Sequence, residues 1–419
     1  MTKRYGIYVV GLLTVINFVN YVDRMVIATM YDDLRRVFGF SNGELGALSS
    51  AFFVVHAAAT LPLAWVSDRF DRRKVIAIGV ILWSLATLGS AYALGFVSMF
   101  FLRGMVGIGE AAYGPASITI LCEVDPPQKA RLNAIYNGGM FAGACAGLWI
   151  GSVFGFPRSF ELVAVPGFVF GVMALMLKVP ATRVDLAAEG GLPSFGRFLR
   201  EMMHSMWHTF SIPTLRWMLV SAIFISFAAG GYVTWIVDFT VQVKGLTAQQ
   251  AAPYYALTAL TGGVCGVLSG GWLGDRWQRR TPRGRVLAIA VGFFCAFPFC
   301  ICVMLIDRGM AYYVTGWFLM YFIPFYNGPM PAVIDDVVDD HQAARAQASF
   351  IVFLHLFGTG LGAFFVGFAS EVPWIGMRWA FSLPAAATLL AGGFALYASR
   401  FVAHDMEARR VRARAKLSA

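Results

Sequence analysis

Four charged residues stand inside stretches of sequence that are otherwise apolar, and their types could do chemistry there. Asp23 and Arg24 interrupt one such stretch, and Arg103 and Glu110 interrupt another. A charge in the middle of a bilayer is unfavourable by at least about 2.5 kcal/mol unless it faces a partner or a wet cavity. We therefore interpret Asp23 and Glu110 as proton-carrying groups, and Arg24 and Arg103 as groups that bind an anionic substrate.

The spacing of these four residues predicts that they meet. Arg103 and Glu110 are seven residues apart, which places them two turns apart on one face of a helix. At a rise of about 1.5 Å per residue, Asp23 and Arg103 lie at a similar depth. Burial raises the pKa of a carboxylic acid and a nearby guanidinium lowers it, so such a pair could alternate between carrying a proton and forming an ion pair. The alternative is a static ion pair that only fixes helix packing.

Other side chains extend the predicted substrate site. Asn20 shares a helix face with Arg24. Asn327 lies between two prolines, where breaks in a helix free backbone groups to face a cavity. His355 could titrate near neutral pH and Trp235 could line the cavity, although packing is the alternative role for both. The predicted substrate-binding residues are Arg24, Arg103, Asn20, Trp235, Asn327 and His355.

The composition predicts the helices that hold these residues. The 419 residues are 58% hydrophobic and 13% charged, with a mean hydropathy of +0.66, which is typical of a membrane protein. A helix needs about 20 residues to cross a bilayer. Apolar runs of that length occur at about 6–30, 44–66, 75–95, 97–121, 131–154, 160–178, 214–239, 250–273, 285–306, 311–334, 346–369 and 376–401. We predict an all-α integral membrane protein with twelve transmembrane helices in two six-helix bundles.

A long polar segment divides these runs into the predicted domains. They are an N-terminal six-helix bundle at 1–180, a cytoplasmic linker at 181–212, a C-terminal six-helix bundle at 213–403 and a basic cytoplasmic tail at 404–419. Apolar residues from Phe195 to Phe210 recur at helical spacing, which predicts an amphipathic helix in the linker.

The basic residues predict the topology. About 25 lysines and arginines fall on the side of the spans that holds both termini, and about 6 fall on the other, so the positive-inside rule makes both termini cytoplasmic. We expect a cell (inner) membrane. Because this placement accounts for the net charge of +10, we expect no nucleic-acid partner. The expected partners are a small-molecule or lipid substrate, protons and membrane lipids, and the expected state is a monomer.

A basic motif occurs twice between consecutive predicted spans, at an offset of 207 residues. Its copies are Ala64-Trp-Val-Ser-Asp68-Arg69-Phe-Asp71-Arg72-Arg73-Lys74 and Gly271-Trp-Leu-Gly-Asp275-Arg276-Trp-Gln278-Arg279-Arg280. We name them the first hairpin and the second hairpin. A repeat of this kind is typical of transporters built from two similar halves. The residues predicted to form a conformational gate are Asp68, Arg69, Arg72, Arg73, Asp275, Arg276, Arg279 and Arg280.

Glycines repeat in a similar way. The fifth predicted span has glycines at positions 139, 143, 147 and 151, and the eleventh has Gly358 and Gly362 at the same spacing of four. Small residues four positions apart form a helix face along which two backbones can touch.

The sequence gives no sign of an enzyme. The six cysteines lack the spacing of metal ligands, and neither a metal-binding cluster of His, Asp and Glu nor a nucleophile motif stands at a plausible depth. We expect no metal and no cofactor.

The whole chain resembles the major facilitator superfamily, whose cytoplasmic loop motif G-x-x-x-D-R-x-G-R-R is similar to both hairpins. The first hairpin departs from it at Ala64 and Asp71, and the second at Gln278. The resemblance implies a conformational switch that is formed by Asp68, Arg69, Arg72, Arg73, Asp275 and Arg276. Glycine is usual in the superfamily at both positions where the first hairpin departs from the motif.

Two further elements resemble the Spinster-like branch of that superfamily. They are Asn20-Tyr-Val-Asp23-Arg24 with Arg103-Gly-Met-Val-Gly-Ile-Gly-Glu110-Ala, and the eleventh span, Arg345 to Gly362, where His355 departs from the expected Asn. This resemblance implies proton-linked transport of lysolipids or sphingoid phosphates. It also implies that Asp23 and Glu110 are protonation sites and that Arg24 and Arg103 lie near the headgroup.

The organic anion:cation symporter branch, which carries sugar acids and carboxylates, shares the Asn-Tyr-x-Asp-Arg element. Its usual Trp-Phe-Pro is replaced here by Leu121-Cys-Glu123-Val-Asp125-Pro-Pro, which favours the Spinster-like branch. The sequence therefore predicts a secondary active transporter, proton-coupled, that moves a small organic anion or anionic amphiphile by alternating access. The alternatives are an organic anion symporter and a passive facilitator without proton coupling.

Overall fold

The computed structural model describes residues 3–124, 129–178 and 195–417, and all regular secondary structure in these ranges is helical. Short 3-10 helices at Ile27–Thr29 and Ile323–Asn327 and a π-helix at Leu354–Thr359 lie between longer elements. The α-helices are α1 (Lys3–Val26), α2 (Tyr31–Phe38), α3 (Asn42–Arg69), α4 (Arg72–Ala91), α5 (Phe96–Val124), α6 (Lys129–Phe154), α7 (Arg158–Leu175), α8 (Phe195–Ser211), α9 (Pro213–Lys244), α10 (Ala248–Gln278), α11 (Gly284–Leu305), α12 (Met310–Phe322), α13 (Met330–Val337), α14 (Asp340–Phe353), α15 (Gly360–Ser370), α16 (Gly376–Ala380), α17 (Ser382–Ala398) and α18 (Val402–Leu417).

Nine helical segments in the described ranges are long and apolar enough to cross a membrane. They are Arg4–Thr29, Asn42–Ser67, Arg72–Ala91, Arg158–Leu175, Pro213–Lys244, Ala248–Gln278, Gly284–Leu305, Arg345–Ser370 and Gly376–Ala398. Each coincides with a predicted span. The other three predicted spans coincide with α5, with α6, and with α12 and α13 joined by a 3-10 helix. The chain is therefore a multi-pass membrane protein.

The helices form two compact units. The first unit comprises Met1–Pro193 and Thr234–Ala256, and the second comprises Ser194–Val233 and Leu257–Ala419. The predicted C-terminal bundle therefore contributes a segment, the end of α9 and the start of α10, to the first unit.

Glycine faces bring helices into close contact within each unit. In the first unit, a methyl group on any of the four predicted glycines of α6 would lie within 3.0 Å of a backbone carbonyl oxygen of α1. In the second unit, a methyl group on Gly362 would lie equally close to the carbonyl oxygen of Phe227 in α9, and one on Gly230 to that of Thr359. The predicted glycine faces are confirmed, and along them the backbones of α1 and α9 contact those of their neighbours.

Local signals in the sequence set several helix ends. The Ser41 side chain accepts a hydrogen bond from the Glu44 backbone N–H (3.2 Å), and the Glu44 carboxylate accepts one from the Ser41 N–H (2.8 Å). This capping box begins α3. The amphipathic helix predicted in the linker is α8, and its Phe210 ring packs on Phe350 and Phe353. Linker residues 181–194 lie outside the described ranges.

Candidate functional site

The first ion pair of the candidate site joins α1 to α5. Arg103 Nη1 lies 3.1 Å from Asp23 Oδ1, and the two side chains are 2% and 1% exposed. The Thr87 hydroxyl of α4 donates a hydrogen bond to the other oxygen of Asp23. Since Asp23 has a partner on each carboxylate oxygen, three helices meet at this charge.

The second ion pair joins the neighbouring residues of the same two helices. Arg24 Nη2 lies 2.7 Å and Nε 3.3 Å from Glu110 Oε2, and the Arg24 and Glu110 side chains are 10% and 0% exposed. The structure therefore brings together all four charges that the sequence singled out. It pairs Asp23 with Arg103, as their equal depth suggested, and it pairs Arg24 with Glu110.

A phenylalanine of α3 lies beside both guanidinium groups. The Phe52 ring centroid is 5.0 Å from Arg24 Cζ and 5.8 Å from Arg103 Cζ, distances at which a cation is attracted to an aromatic face. Gly107, which stands between the two charges of α5, allows this approach: a methyl group there would lie 2.7 Å from the Phe52 carbonyl oxygen. Sequence reasoning missed Phe52, because an apolar residue in an apolar span gives no signal.

Three buried polar atoms at this site have no hydrogen-bond partner among the described residues. They are Asn20 Nδ2, Arg103 Nε and Glu110 Oε1, and their residues are 4%, 1% and 2% exposed. Leaving a buried polar atom unpaired is unfavourable by about 1–3 kcal/mol, and unpaired atoms of this kind in a native protein often mark a functional site. The site can therefore offer two donors and one acceptor to a ligand or a proton.

Trp235, the fourth predicted substrate residue of the first unit, packs elsewhere in that unit. Its buried ring lies 4.9 Å from the ring of Tyr31, whose hydroxyl is 2.6 Å from Ser49 Oγ. One turn along α9, both oxygens of Asp238 accept bonds of 2.7 Å from Arg35. Arg35 also donates 2.6 Å and 3.1 Å bonds to Asn42. Sequence reasoning missed this third ion pair, because its members are 203 residues apart.

Asn327 and His355 belong to the second unit, and each lies where the α-helical geometry breaks. Asn327 ends the 3-10 helix Ile323–Asn327 and is exposed. His355 is half-buried in the π-helix Leu354–Thr359. Single π turns inside α-helices are frequent at functional sites, so the structure keeps both residues as candidates.

The first hairpin is held by its own charges. The Asp71 carboxylate accepts a 3.0 Å bond from the Arg73 backbone N–H and a 2.6 Å bond from its guanidinium, and these bonds lower the pKa of Asp71. Arg73 also donates to the Leu177 carbonyl oxygen at 3.1 Å. Arg69 lies over the Trp65 ring, 4.6 Å from its centroid.

Arg72 is buried, whereas the Asp68 side chain lies outside the described part of the chain.

The second hairpin is held by a residue that follows the motif. Arg285 bonds Asp275 at 2.7 Å and Asp336 of α13 at 2.6 Å. Arg276 lies over the Trp272 ring at 5.5 Å. Sequence reasoning missed Arg285 as the partner of these two aspartates, because it lies outside the repeated motif.

The sequence model of the Major Facilitator Superfamily matches residues 13–363. The chain therefore belongs to this superfamily and is a transporter of the class, with the twelve-helix fold that the sequence predicted. The paired charges of α1 and α5 lie inside a fold that moves substrates, so they are not the site of an enzyme.

Comparison with individual proteins shows which members of the superfamily the chain is similar to. It is 23% identical to Protein spinster homolog 1 of Xenopus laevis, over 97% of this chain and 82% of that protein. It is 27% identical to the sphingosine-1-phosphate transporter SPNS2 of Mus musculus, over 86% of this chain and 69% of that one. A solved bacterial homologue of the human lysosomal transporter Spinster, inward-facing and unoccupied, superimposes with a TM-score of 0.83 at 21% identity, covering 97% of this chain and 99% of its own. The resemblance to the Spinster-like branch is confirmed.

Proposed function

We propose that this chain is a proton-coupled secondary active transporter of an anionic amphiphile of the lysolipid or sphingoid-phosphate kind. The observation that carries the proposal is the pair of buried ion pairs, Asp23 with Arg103 and Arg24 with Glu110, beside unpaired atoms of Asn20, Arg103 and Glu110. The similarity to a sphingosine-1-phosphate transporter supports the substrate class.

Coupling would arise from competition for the arginines. Each guanidinium is held by a carboxylate, and a phosphate or carboxylate of the substrate offers the same bidentate bonds. A proton on Glu110 would neutralise the partner of Arg24 and free this guanidinium for the substrate anion. Arg24, 10% exposed, is the more accessible of the two arginines. The role of Arg24 and Arg103 is thus anion binding, and that of Asp23 and Glu110 is proton transfer.

Alternating access supplies the second part of the mechanism. The charged residues of both hairpins would form and release ion pairs as the transporter opens and closes, with Arg285 acting as the partner of Asp275 and Asp336. The glycine faces, where backbones touch with few side chains between them, suit helices that slide against each other. Asn327 and His355, at the two breaks in α-helical geometry of the second unit, would contact neutral parts of the substrate, whereas the buried Trp235 ring would act by packing on Tyr31.

The asymmetry of the basic residues supports a location in the cell (inner) membrane with both termini in the cytoplasm. We propose a monomer, because each unit holds its own ion pairs and the proposed proton and anion groups all lie in one unit.

Flux in proteoliposomes tests the proton coupling. Glu110→Gln keeps the shape of the side chain but cannot exchange a proton, so we expect loss of accumulation driven by a pH gradient and partial retention of substrate exchange. Glu161→Gln is the matched control, because Glu161 bonds Tyr92 at the surface of the same unit. An unchanged pH dependence in Glu110→Gln would contradict proton coupling and leave a passive facilitator.

A ligand panel tests the substrate class. A ligand that binds the folded state raises the melting temperature with dose. We expect lysophospholipids and sphingoid phosphates to do so, hexuronates and small carboxylates to have no effect, and Arg24→Gln or Arg103→Ala to blunt the shift. Arg36→Gln is the control, because Arg36 is an exposed arginine 72% accessible to solvent. Stabilisation by the sugar acids alone would identify an organic anion symporter instead.

A further inference from the structure

Three arginines outside the proposed transport site line one cavity at an end of the second unit. The cavity has a volume of about 300 Å³, which is at the lower end of the range for small-molecule sites. Its lining comes from α10, the turn after it, α13 and α18: Gln278, Arg279, Arg280, Thr281, Pro282, Asp336, Met406 and Arg410.

The charge of the cavity is positive. In the described part of the chain, Arg279 and Arg280 have no carboxylate within ion-pair distance. Arg410 has one contact, a 3.6 Å approach to Glu407 between two side chains that are more than half exposed, and such exposed pairs are weak. The acidic member of the lining, Asp336, is already bonded to Arg285 at 2.6 Å. Two arginines therefore remain available to an anion, and a third is held only loosely.

The walls of the cavity are fixed in place by one side chain. Gln278 donates to Met406 Sδ at 3.7 Å and to Asp336 at 3.4 Å, and it accepts a bond of 3.1 Å from the Arg285 backbone N–H. The α18 helix is also anchored, because the buried carboxylate of Asp405 accepts bonds of 2.9 Å and 2.6 Å from Thr214 at the start of α9. The arginines thus project from a framework that does not need to form when a ligand arrives.

The position of the cavity suits a group at the membrane surface. One candidate span ends at Gln278 and the next begins at Gly284, so Arg279 and Arg280 lie between two span ends, at the level of lipid headgroups. Guanidinium groups match the geometry of phosphate oxygens and bind them with paired hydrogen bonds. We infer that this cavity is a second binding site, separate from the transport site, for a phosphate monoester carried by a lipid headgroup or by a soluble phosphate ester.

Melting temperatures with three short probes test this inference. Dioctanoyl phosphatidic acid carries a phosphate monoester on two chains, dioctanoyl phosphatidylcholine carries the same chains without net charge, and glycerol 3-phosphate carries the phosphate without chains. The double variant Arg279→Gln/Arg280→Gln should lower the apparent affinity for phosphatidic acid about tenfold, which corresponds to about 1.4 kcal/mol. Arg410→Gln should lower it less. Arg283→Gln is the matched control, because Arg283 lies in the same turn but does not line the cavity.

Hydrogen exchange locates the bound probe, because it should protect residues 276–284 and 403–412 in the wild type. Stabilisation by phosphatidic acid alone, lost in the double variant, supports a lipid headgroup, whereas stabilisation by glycerol 3-phosphate as well supports a soluble phosphate ester. A shift that survives the double variant but disappears in Arg24→Gln would place the probe in the transport site and overturn the inference. Absence of any shift with either phosphate would overturn it as well. Neither result bears on the proton flux that tests Glu110.

Discussion

Among the described residues, six charged side chains are buried in the first unit, whereas in the second unit only Asp405 is. Three of those six, Asp23, Arg103 and Glu110, belong to the two ion pairs between α1 and α5, and the fourth member, Arg24, is 10% exposed. The ion pairs of the second unit join residues at the ends of its helices, such as Arg285 with Asp336 and Arg412 with Asp339.

The two units nevertheless share two structural features. Each has a hairpin with the same motif, and each packs glycines of one helix against backbone carbonyl groups of another. The difference is local: Phe52, beside the two arginines in the first unit, has Ala259 at the position 207 residues later in the second. In the described part of the chain, a shared scaffold thus carries its buried charges mainly in the first unit.

The largest loss of stability is expected from breaking a buried ion pair of the first unit. Arg103→Gln leaves Asp23 charged and buried without its partner, and removing one member of such a pair costs about 3–5 kcal/mol. The double variant Asp23→Asn/Arg103→Gln removes both charges and should recover most of that loss. Thermal unfolding of the purified variants in one detergent measures the three effects.

An exposed ion pair of the second unit supplies the matched control for these Asp23 and Arg103 variants. Arg378 approaches Asp307 at 3.9 Å with both side chains well exposed, so Arg378→Gln should change stability by less than about 1 kcal/mol. Equal losses in Arg103→Gln and Arg378→Gln would remove the distinction between the units.

A medium loss of stability is expected at the glycine faces, which both units have. Gly143→Ala would press a methyl group on the Phe18 carbonyl oxygen, and Gly362→Ala would press one on that of Phe227. Overpacking of this kind costs about 1–3 kcal/mol, so both variants should lose stability by similar amounts. Gly138→Ala and Gly393→Ala meet no atom within 4 Å and should be neutral. A loss of stability in only one of the two variants would show that the glycine faces of the two units do not contribute equally to stability.

A smaller effect is expected at Phe52. Replacing the ring by leucine in Phe52→Leu keeps an apolar side chain but removes the attraction to Arg24 and Arg103, which is worth about 0.5–2 kcal/mol. Phe52→Tyr keeps the aromatic face and should retain most of the stability. Melting temperatures compare the two variants, and equal values for Leu and Tyr would exclude a role for the aromatic face.

The sequence predicted the elements and the charges of the site, but only part of their pairing. The cost of burying charge singled out Asp23, Arg24, Arg103 and Glu110, and the rise of a helix placed Asp23 level with Arg103. The partner of Arg24 depended on side-chain reach and helix rotation, which spacing does not specify.

Residues without a periodic or charge signal were missed for a different reason. Phe52 is one apolar residue among many in α3, and its position depends on the close approach that Gly107 allows. Arg285 lies just beyond the second hairpin, at the start of the next span, where a basic residue also fits the topology rule. Such contacts follow from tertiary packing and could be identified only with the fold in hand.

The smallest expected effect on stability is a pH dependence that the first hairpin has at position 71 and the second hairpin lacks at the corresponding position. The Asp71 position of the first hairpin corresponds to Gln278 in the second, so only the first carries a titratable group there. The bonds from Arg73 lower the pKa of Asp71 below its ordinary value of 3.8. A lowered folded pKa adds stability that is complete above the unfolded pKa and is lost as the pH falls through the folded one.

Asp71→Asn isolates this charge, because asparagine can still cap the start of α4. Since Asp71 and Arg73 are about a third exposed, the loss at pH 7 should be about a few tenths of a kcal/mol. The difference in melting temperature between wild type and Asp71→Asn should stay constant from pH 7 to about pH 5 and shrink below 3.8. A difference that grew toward low pH would mean that the carboxylate destabilises the folded hairpin, the opposite of what its bonds to Arg73 imply.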